Sequence, residues 1–275
     1  MSNRALTTFV YTALIILGVG TYWWHSQATP QNKNEAETKL AQLNHSIQHL
    51  AIIMDGNRRW AKQQGLMPWE GHKSGIDPVK KTVEFCIEQK IPHLSLYTFS
   101  LENFNRSQKE LDVLFDTIKR GLTNEEFTKL TQHGVRVRFI GDRSRFPESL
   151  HVTINDIEEK TASGKNLQLN LLFCYGGQQE LTAAMQELGK KIAAGTLKPT
   201  EITPELIQQH LWMAHGPNPD LIIRTSGVRR LSNFLSWQSA YSELMFLDFH
   251  WPEITKQSLY EAIKKFEKIK RNFGQ

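Results

Sequence analysis

Short apolar runs that alternate with helical patterns constrain the fold of this chain more than any other feature. Residues 49–54 read HLAIIM, a continuous apolar run typical of a strand that is buried on both faces. Five later runs have strand character, at 91–99, 135–140, 167–173, 221–223 and 244–249. Helical patterns occupy the intervals and the end of the chain, at 78–90, 108–122, 148–162, 179–194, 204–213 and 256–268. This alternation predicts an α/β fold with a mainly parallel central sheet flanked by helices.

Composition narrows the class of protein further. Of the 275 residues, 40% are hydrophobic and 22% are charged, which excludes a disordered or collagen-like chain. The two cysteines, Cys86 and Cys174, lie inside apolar runs, so we expect small core residues rather than a disulfide framework or a cysteine metal site. The net charge of +5 suits anionic partners such as phosphates, nucleic acid or a lipid surface without choosing among them.

The amino-terminal segment predicts a membrane anchor. Residues 5–24 carry no charge and are long enough to cross a bilayer as a helix. A cleaved signal peptide is the alternative, because residues 26–28 (SQA) resemble a cleavage site; the apolar run, however, exceeds the roughly 7–15 residues of a typical signal core. Residues 25–44 are polar and offer no apolar face to bury. The predicted organisation is a transmembrane helix within 1–24, a tether at 25–44 and a folded domain at 45–275.

Charged residues follow the first predicted strand, where open parallel sheets bind their ligands. Asp55 and Gly56 come directly after this strand, and Arg58 and Arg59 follow them. A carboxylate can bind a metal ion, while helix-opening amides and guanidinium groups bind phosphate oxygens, so the segment suits a magnesium diphosphate. An Asp-Gly turn with two solvated arginines is the alternative interpretation.

Further polar clusters at other strand ends favour the diphosphate interpretation. They are His72 and Lys73 within GHKSG, the stretch SLENFNR that ends in Arg106, Arg224 at the start of RTSG, and Glu243 just before the last strand. The sequence contains no GxxxxGK[ST] loop, no GxSxG elbow, no GxGxxG after the first strand and no DDxxD pair. The remaining interpretation is a site that binds one or two diphosphate groups, a metal ion and the large apolar part of a ligand.

Five motifs together resemble the cis-prenyltransferases, and within them the bacterial undecaprenyl diphosphate synthases. They are HLAIIMDGNRRWA (49–61), GHKSG (71–75), SLENFNR (100–106), RTSG…RLSNFL (224–235) and WQSAYSEL (237–244). The resemblance covers residue 45 to the carboxyl terminus. It implies condensation of isopentenyl diphosphate with an allylic diphosphate such as farnesyl diphosphate, with cis double bonds and release of diphosphate. It also implies a Mg²⁺ cofactor, a homodimer and no nucleic-acid partner.

The same resemblance assigns roles to individual residues. Asp55 and Asn103 would be catalytic, and Asp55 and Glu243 would hold the metal ion. The substrate-binding set would be Gly56, Asn57, Arg58, Arg59, Trp60, His72, Ser100, Leu101, Glu102, Phe104, Arg106, Arg224, Arg230, Leu231 and Ser232. Arg224, Arg230 and Ser232 would bind isopentenyl diphosphate. Because both substrates are expected in the cytosol, the catalytic domain is expected to face the cytoplasm beside a single-pass anchor.

The sequence departs from the family pattern at several positions. Arg58 replaces a glycine, Pro68 stands where an arginine is often found, and Val228 stands where an acidic residue is usual. The other departures are Phe104, Cys174, Gln178 and Asn272. A non-catalytic subunit of the same fold is one alternative, although such relatives lose the Asp-Gly-Asn stretch that is kept here. A nucleic-acid or membrane-surface binder is another, although the basic residues cluster at strand ends rather than along one helix face.

Overall fold

A six-stranded sheet organises the domain. The computed structural model of the chain describes residues 40–123, 129 and 132–272. The strands are β1 (His49–Ile53), β2 (His93–Ser100), β3 (Val135–Ile140), β4 (Leu167–Tyr175), β5 (Leu221–Arg224) and β6 (Glu243–Phe246). Their spatial order is β3-β4-β2-β1-β5-β6, and every pair of neighbours is parallel. The predicted parallel α/β sheet is therefore confirmed.

Helices lie between most of the strands, although none lies between β5 and β6. They are α1 (Asn57–Gln63), α2 (Glu70–Ser74), α3 (Ile76–Gln89), α4 (Gln108–Thr123), α5 (Glu148–Lys160), α6 (Gly177–Ala193), α7 (Pro204–His210) and α8 (Lys256–Phe266). Helix α3 begins two residues before the predicted start at Pro78, since a proline in the first turn loses no intrahelical hydrogen bond. Strand β6 ends at Phe246, three residues before the predicted end.

The central position of β1 places the polar clusters together. All five residues of β1 are buried, and the strand pairs with β2 on one side and β5 on the other. Because the three strands are parallel, their carboxyl ends share one edge of the sheet. Cys86 and Cys174 are buried free thiols, as predicted.

Residues 43–46 pack at the opposite, amino edge of the sheet. The backbone amide of Leu43 donates to Oε1 of Gln89 (2.8 Å), and Nε2 of His45 lies 2.8 Å from the carbonyl oxygen of Gln89. The amide of Ser46 donates to Oε1 of Glu267 (3.0 Å). The predicted anchor at 1–24 lies outside the described residues. Within the described residues, no helix is long and apolar enough to cross a membrane.

Candidate active site

Two arginines hold the carboxylate of Asp55, just beyond β1. Oδ1 accepts a hydrogen bond from Nη2 of Arg59 (3.0 Å), and Oδ2 accepts one from Nη2 of Arg224 (2.8 Å). Burial opposes the ionisation of Asp55, but the hydrogen bond and charge of Arg224, together with those of Arg59, outweigh it and keep the pKa of the carboxyl below its usual value. Asp55 is therefore an anion flanked by cations.

Gly56 allows the chain to turn from β1 into α1. Its φ of 106° is left-handed, and a Cβ atom there would lie 2.6 Å from Nδ1 of His250. Next along the chain, Asn57 donates from Nδ2 to the carbonyl oxygen of Met54 (3.3 Å). Its Oδ1 atom is buried and has no hydrogen-bond partner in the part of the chain that the structure describes. An unpaired, buried amide oxygen thus lies two residues after Asp55 in the chain.

Two arginines and a histidine surround Glu110, which no sequence motif had indicated. Oε1 of this buried residue lies 3.2 Å from Nη1 of Arg106, 3.6 Å from Nε of Arg58 and 3.7 Å from Nε2 of His72. Burial and the charge of Arg106 lower the pKa of His72 below its usual value, against the opposing charge of Glu110. His72 is therefore neutral at pH 7. Glu110 joins three residues of the predicted substrate-binding set.

The loop after β5 adds a third group. Nη1 of Arg224 donates to Oγ of Ser232 (2.9 Å), and Nε of Arg230 donates to the same oxygen (3.2 Å). Asn233 follows with a positive φ of 64° and donates from Nδ2 to Oε1 of Glu102 (2.7 Å). The turn after β2 is thereby connected to the loop after β5. Within that turn, Oδ1 of Asn103 accepts from the amide of Ser100 (3.1 Å).

These groups surround the mouth of a cavity of about 850 Å³. Nine predicted site residues line it: Asp55, Asn57, His72, Ser100, Glu102, Asn103, Arg106, Arg224 and Ser232. Its deeper wall contains apolar side chains, among them Ile53, Val79, Leu114, Ile118, Leu122 and Leu171. A charged mouth above an apolar body suits a ligand with a phosphorylated head and a hydrocarbon tail.

The other predicted residues lie around or away from this cavity. Arg59 and Arg230 contact Asp55 and Ser232 of its wall, whereas Arg58 contacts Glu110, which does not line the cavity. Phe104 instead packs against Phe99 and Phe115, with ring centroids 4.9 and 6.4 Å away. Leu231 packs against the buried core cluster that includes Ile53 and Phe234. Gly56, Trp60 and Leu101 also do not line the cavity.

The structure separates Glu243 from Asp55, which corrects the expectation that they lie at facing strand ends. Glu243 begins β6 and pairs with Leu221 at the amino end of β5, whereas Asp55 contacts Arg224 at the carboxyl end of that strand. Three residues of strand span about 10 Å. Parallel pairing causes the separation, because a residue that precedes a strand lies at its amino edge. Within one chain, these carboxylates do not form a metal site.

The cavity mouth nevertheless offers a donor set that fits magnesium. Mg²⁺ is commonly bound by one or two carboxylates together with substrate phosphates and water. Asp55 supplies one ionised carboxylate, and Asn57, whose Oδ1 is unpaired, lines the same cavity. In the described part of the chain, no group of three or more His, Cys, Asp or Glu side chains could hold a metal ion. A magnesium ion here would therefore need oxygens from the substrate.

Comparisons with known proteins agree with the fold. Residues 53–274 match the model of the Prenyltransf family, described as "Putative undecaprenyl diphosphate synthase". A ditrans,polycis-undecaprenyl-diphosphate synthase of Xylella fastidiosa, specific for (2E,6E)-farnesyl diphosphate, is 44% identical over 82% of this chain and 88% of that protein. A tritrans,polycis-undecaprenyl-diphosphate synthase of Methanopyrus kandleri, specific for geranylgeranyl diphosphate, is 41% identical over 82% of this chain and 84% of that protein.

A solved structure extends the likeness to three dimensions. The lavandulyl diphosphate synthase of Lavandula x intermedia, in complex with dimethylallyl diphosphate, matches with a TM-score of 0.81 and 32% identity. The match covers 83% of this chain and 98% of that one. The fold and the family model together define a prenyltransferase. The chain belongs to the cis-prenyltransferase family, which confirms the resemblance found in its sequence.

Proposed function

We propose that this chain condenses isopentenyl diphosphate with an allylic diphosphate to make a cis-polyprenyl diphosphate. The observation that carries the proposal is the cavity of about 850 Å³, in which Asp55, Arg106 and Arg224 surround the mouth and apolar side chains line the body. Ionisation of an allylic diphosphate requires charge neutralisation at the leaving group and a water-poor environment for the hydrocarbon cation. The cavity combines both features.

The residues at the mouth divide the work of binding. Arg58, Arg59, His72 and Arg106 would bind the allylic diphosphate, and Arg224, Arg230 and Ser232 would bind isopentenyl diphosphate. Asp55, with Asn57 beside it, would hold Mg²⁺ through the diphosphate oxygens. When bound, the ion neutralises charge that develops on the departing diphosphate. Asn103 would lie beside the carbon that loses a proton.

The proposed assembly is a membrane-anchored homodimer. The apolar segment at 5–24 supports an anchor, and a catalytic domain on the cytoplasmic side would meet its water-soluble substrates. Strand β6 lies at the edge of the sheet, where Leu244 is 46% exposed and offers apolar surface to a second copy. A reporter fused at residue 275 would test the orientation, since an extracytoplasmic signal contradicts it.

The activity is tested by incubating the full chain with farnesyl diphosphate, labelled isopentenyl diphosphate and magnesium, and sizing the product. Long labelled lipid is the expected result. Replacing farnesyl diphosphate by dimethylallyl and geranylgeranyl diphosphate establishes which primer is used. If no primer gives turnover, the proposal fails, and a non-catalytic subunit that needs an active partner becomes the better interpretation.

A further inference from the structure

A second groove lies at one end of the sheet, beside the edge strand β3. Its volume is about 880 Å³, and none of its lining residues belongs to the cavity of the candidate active site. One wall is β3 with the turn that follows it, and the other is the first half of α6. Trp212, whose ring packs edge-on against Tyr175, and the exposed His215 also line the groove.

Arg136 and Arg138 place two positive charges side by side in this groove. The side chains of a strand alternate between its faces, so Val135, Val137 and Phe139 are buried on one face while the two arginines share the other. Both arginines are half-buried. Neither guanidinium makes a hydrogen bond or an ion pair with any other residue that the structure describes. Burial and the adjacent charge of Arg136 lower the pKa of Arg138, and the charge of Glu158 opposes this shift only in part.

The carboxylates of the groove are already engaged by other groups. Glu158 accepts two hydrogen bonds from Nη2 of Arg143 (2.6 and 2.8 Å) and one from the amide of Phe139 (2.8 Å). Asp142 accepts from the amide and the hydroxyl of Ser144 (3.1 and 2.6 Å). The facing wall on α6 consists of neutral residues, Gln179, Thr182, Ala183 and Gln186. Two like charges therefore face amide and hydroxyl groups on α6, and neither of these carboxylates forms an ion pair with Arg136 or Arg138.

We propose that this groove is a binding site for a phosphate-bearing anion, held by Arg136 and Arg138. A phosphoryl group presents several acceptor oxygens to guanidinium donors, and it would relieve the repulsion between the two arginines. The polar side chains of α6 would supply further hydrogen bonds. The same chemistry occurs in free diphosphate and in the headgroup of an anionic lipid. The proposal concerns binding alone and does not depend on prenyl transfer.

The test uses the full chain in neutral detergent, labelled with 5-fluorotryptophan. A Trp212→Phe variant identifies the fluorine resonance of Trp212, which reports on the groove. Inorganic diphosphate is titrated in one arm and water-soluble dihexanoyl phosphatidic acid in the other. We expect a saturable shift of this resonance, which persists when Arg224→Gln weakens the candidate active site. The arm with the lower dissociation constant identifies free anion or lipid headgroup as the source.

Paired variants distinguish specific binding in the groove from nonspecific attraction of anions to a positively charged protein. Arg136→Gln with Arg138→Gln should raise the dissociation constant by at least about tenfold, since each lost contact is charge-assisted. Arg120→Gln with Lys160→Gln removes the same charge from two exposed ion pairs and should leave binding unchanged. The proposal is overturned if neither ligand shifts the resonance, or if both double variants weaken binding equally.

Discussion

Arg224 donates two hydrogen bonds, from Nη2 (2.8 Å) and Nε (3.3 Å), to a single carboxylate oxygen of Asp55. Arg224 ends β5 and Asp55 follows β1, so the contact joins the carboxyl ends of neighbouring strands. In the proposed reaction, these residues bind different substrates. The pair therefore connects the two substrate sites through one charge-assisted contact.

Replacing Asp55 by alanine tests the importance of this carboxylate. Loss of a group that stabilises charge in the transition state is expected to lower turnover by about 10³-fold or more. Asp112→Ala is the matched control, since this exposed carboxylate of α4 does not line the cavity. Turnover with labelled isopentenyl diphosphate and a circular dichroism spectrum are measured for both variants. A folded Asp55→Ala protein that keeps near-normal turnover would contradict the assignment.

The separation of Asp55 and Glu243 predicts the outcome of mixing mutant chains. If both carboxylates serve one metal site, they must come from two chains. Co-expressed Asp55→Ala and Glu243→Ala chains should then regain activity, because a mixed dimer contains one site with both carboxylates intact. Each variant expressed alone is the control. Absence of rescue in isolated mixed dimers would exclude a shared site between chains.

Asn233 provides a test of backbone strain in the loop after β5. Alanine and glycine at this position both remove the contact with Glu102, but only glycine accepts the left-handed φ of 64° without cost. Asn233→Ala should therefore be less stable than Asn233→Gly by about 1 kcal/mol. The measurement is the free energy of unfolding from urea denaturation. Equal stabilities would show that the loop relaxes out of this conformation.

His49 predicts a loss of stability in acid. Burial is the largest cause that lowers its pKa from 6.5 to about 4. Between pH 6.5 and about pH 4, His49 therefore binds a proton in the unfolded chain but not in the folded chain. The free energy of unfolding should therefore fall as pH decreases through this window, with a contribution of up to about 1.4 kcal/mol per pH unit. His49→Gln should flatten this dependence by one proton, whereas His133→Gln removes an exposed histidine and serves as the control. An identical pH slope in wild type and His49→Gln would disprove the assignment.

Local sequence patterns were sufficient to predict the strands and most of the residues at the cavity mouth. The apolar run of β1 and the charges that follow it predict both the strand and the position of Asp55. Glu243 was misplaced because it begins its strand, and in a parallel sheet that position lies at the amino edge, whereas Asp55 follows its strand and lies at the carboxyl edge. Glu110 was missed because its role depends on contacts with Arg58 and His72, which are distant in sequence. Its one local signal was the spacing of four residues from Arg106.

The contacts of Leu43 and His45 with Gln89 fix where the polypeptide joins the domain, at the edge opposite the cavity mouth. Attachment and chemistry are thus assigned to different ends of the same strands. Exchanging the predicted anchor and tether for a segment of different length or composition should therefore leave the positions of Asp55 and Arg224 unchanged. The point where the preceding segment enters the domain is therefore independent of the residues proposed to carry the reaction.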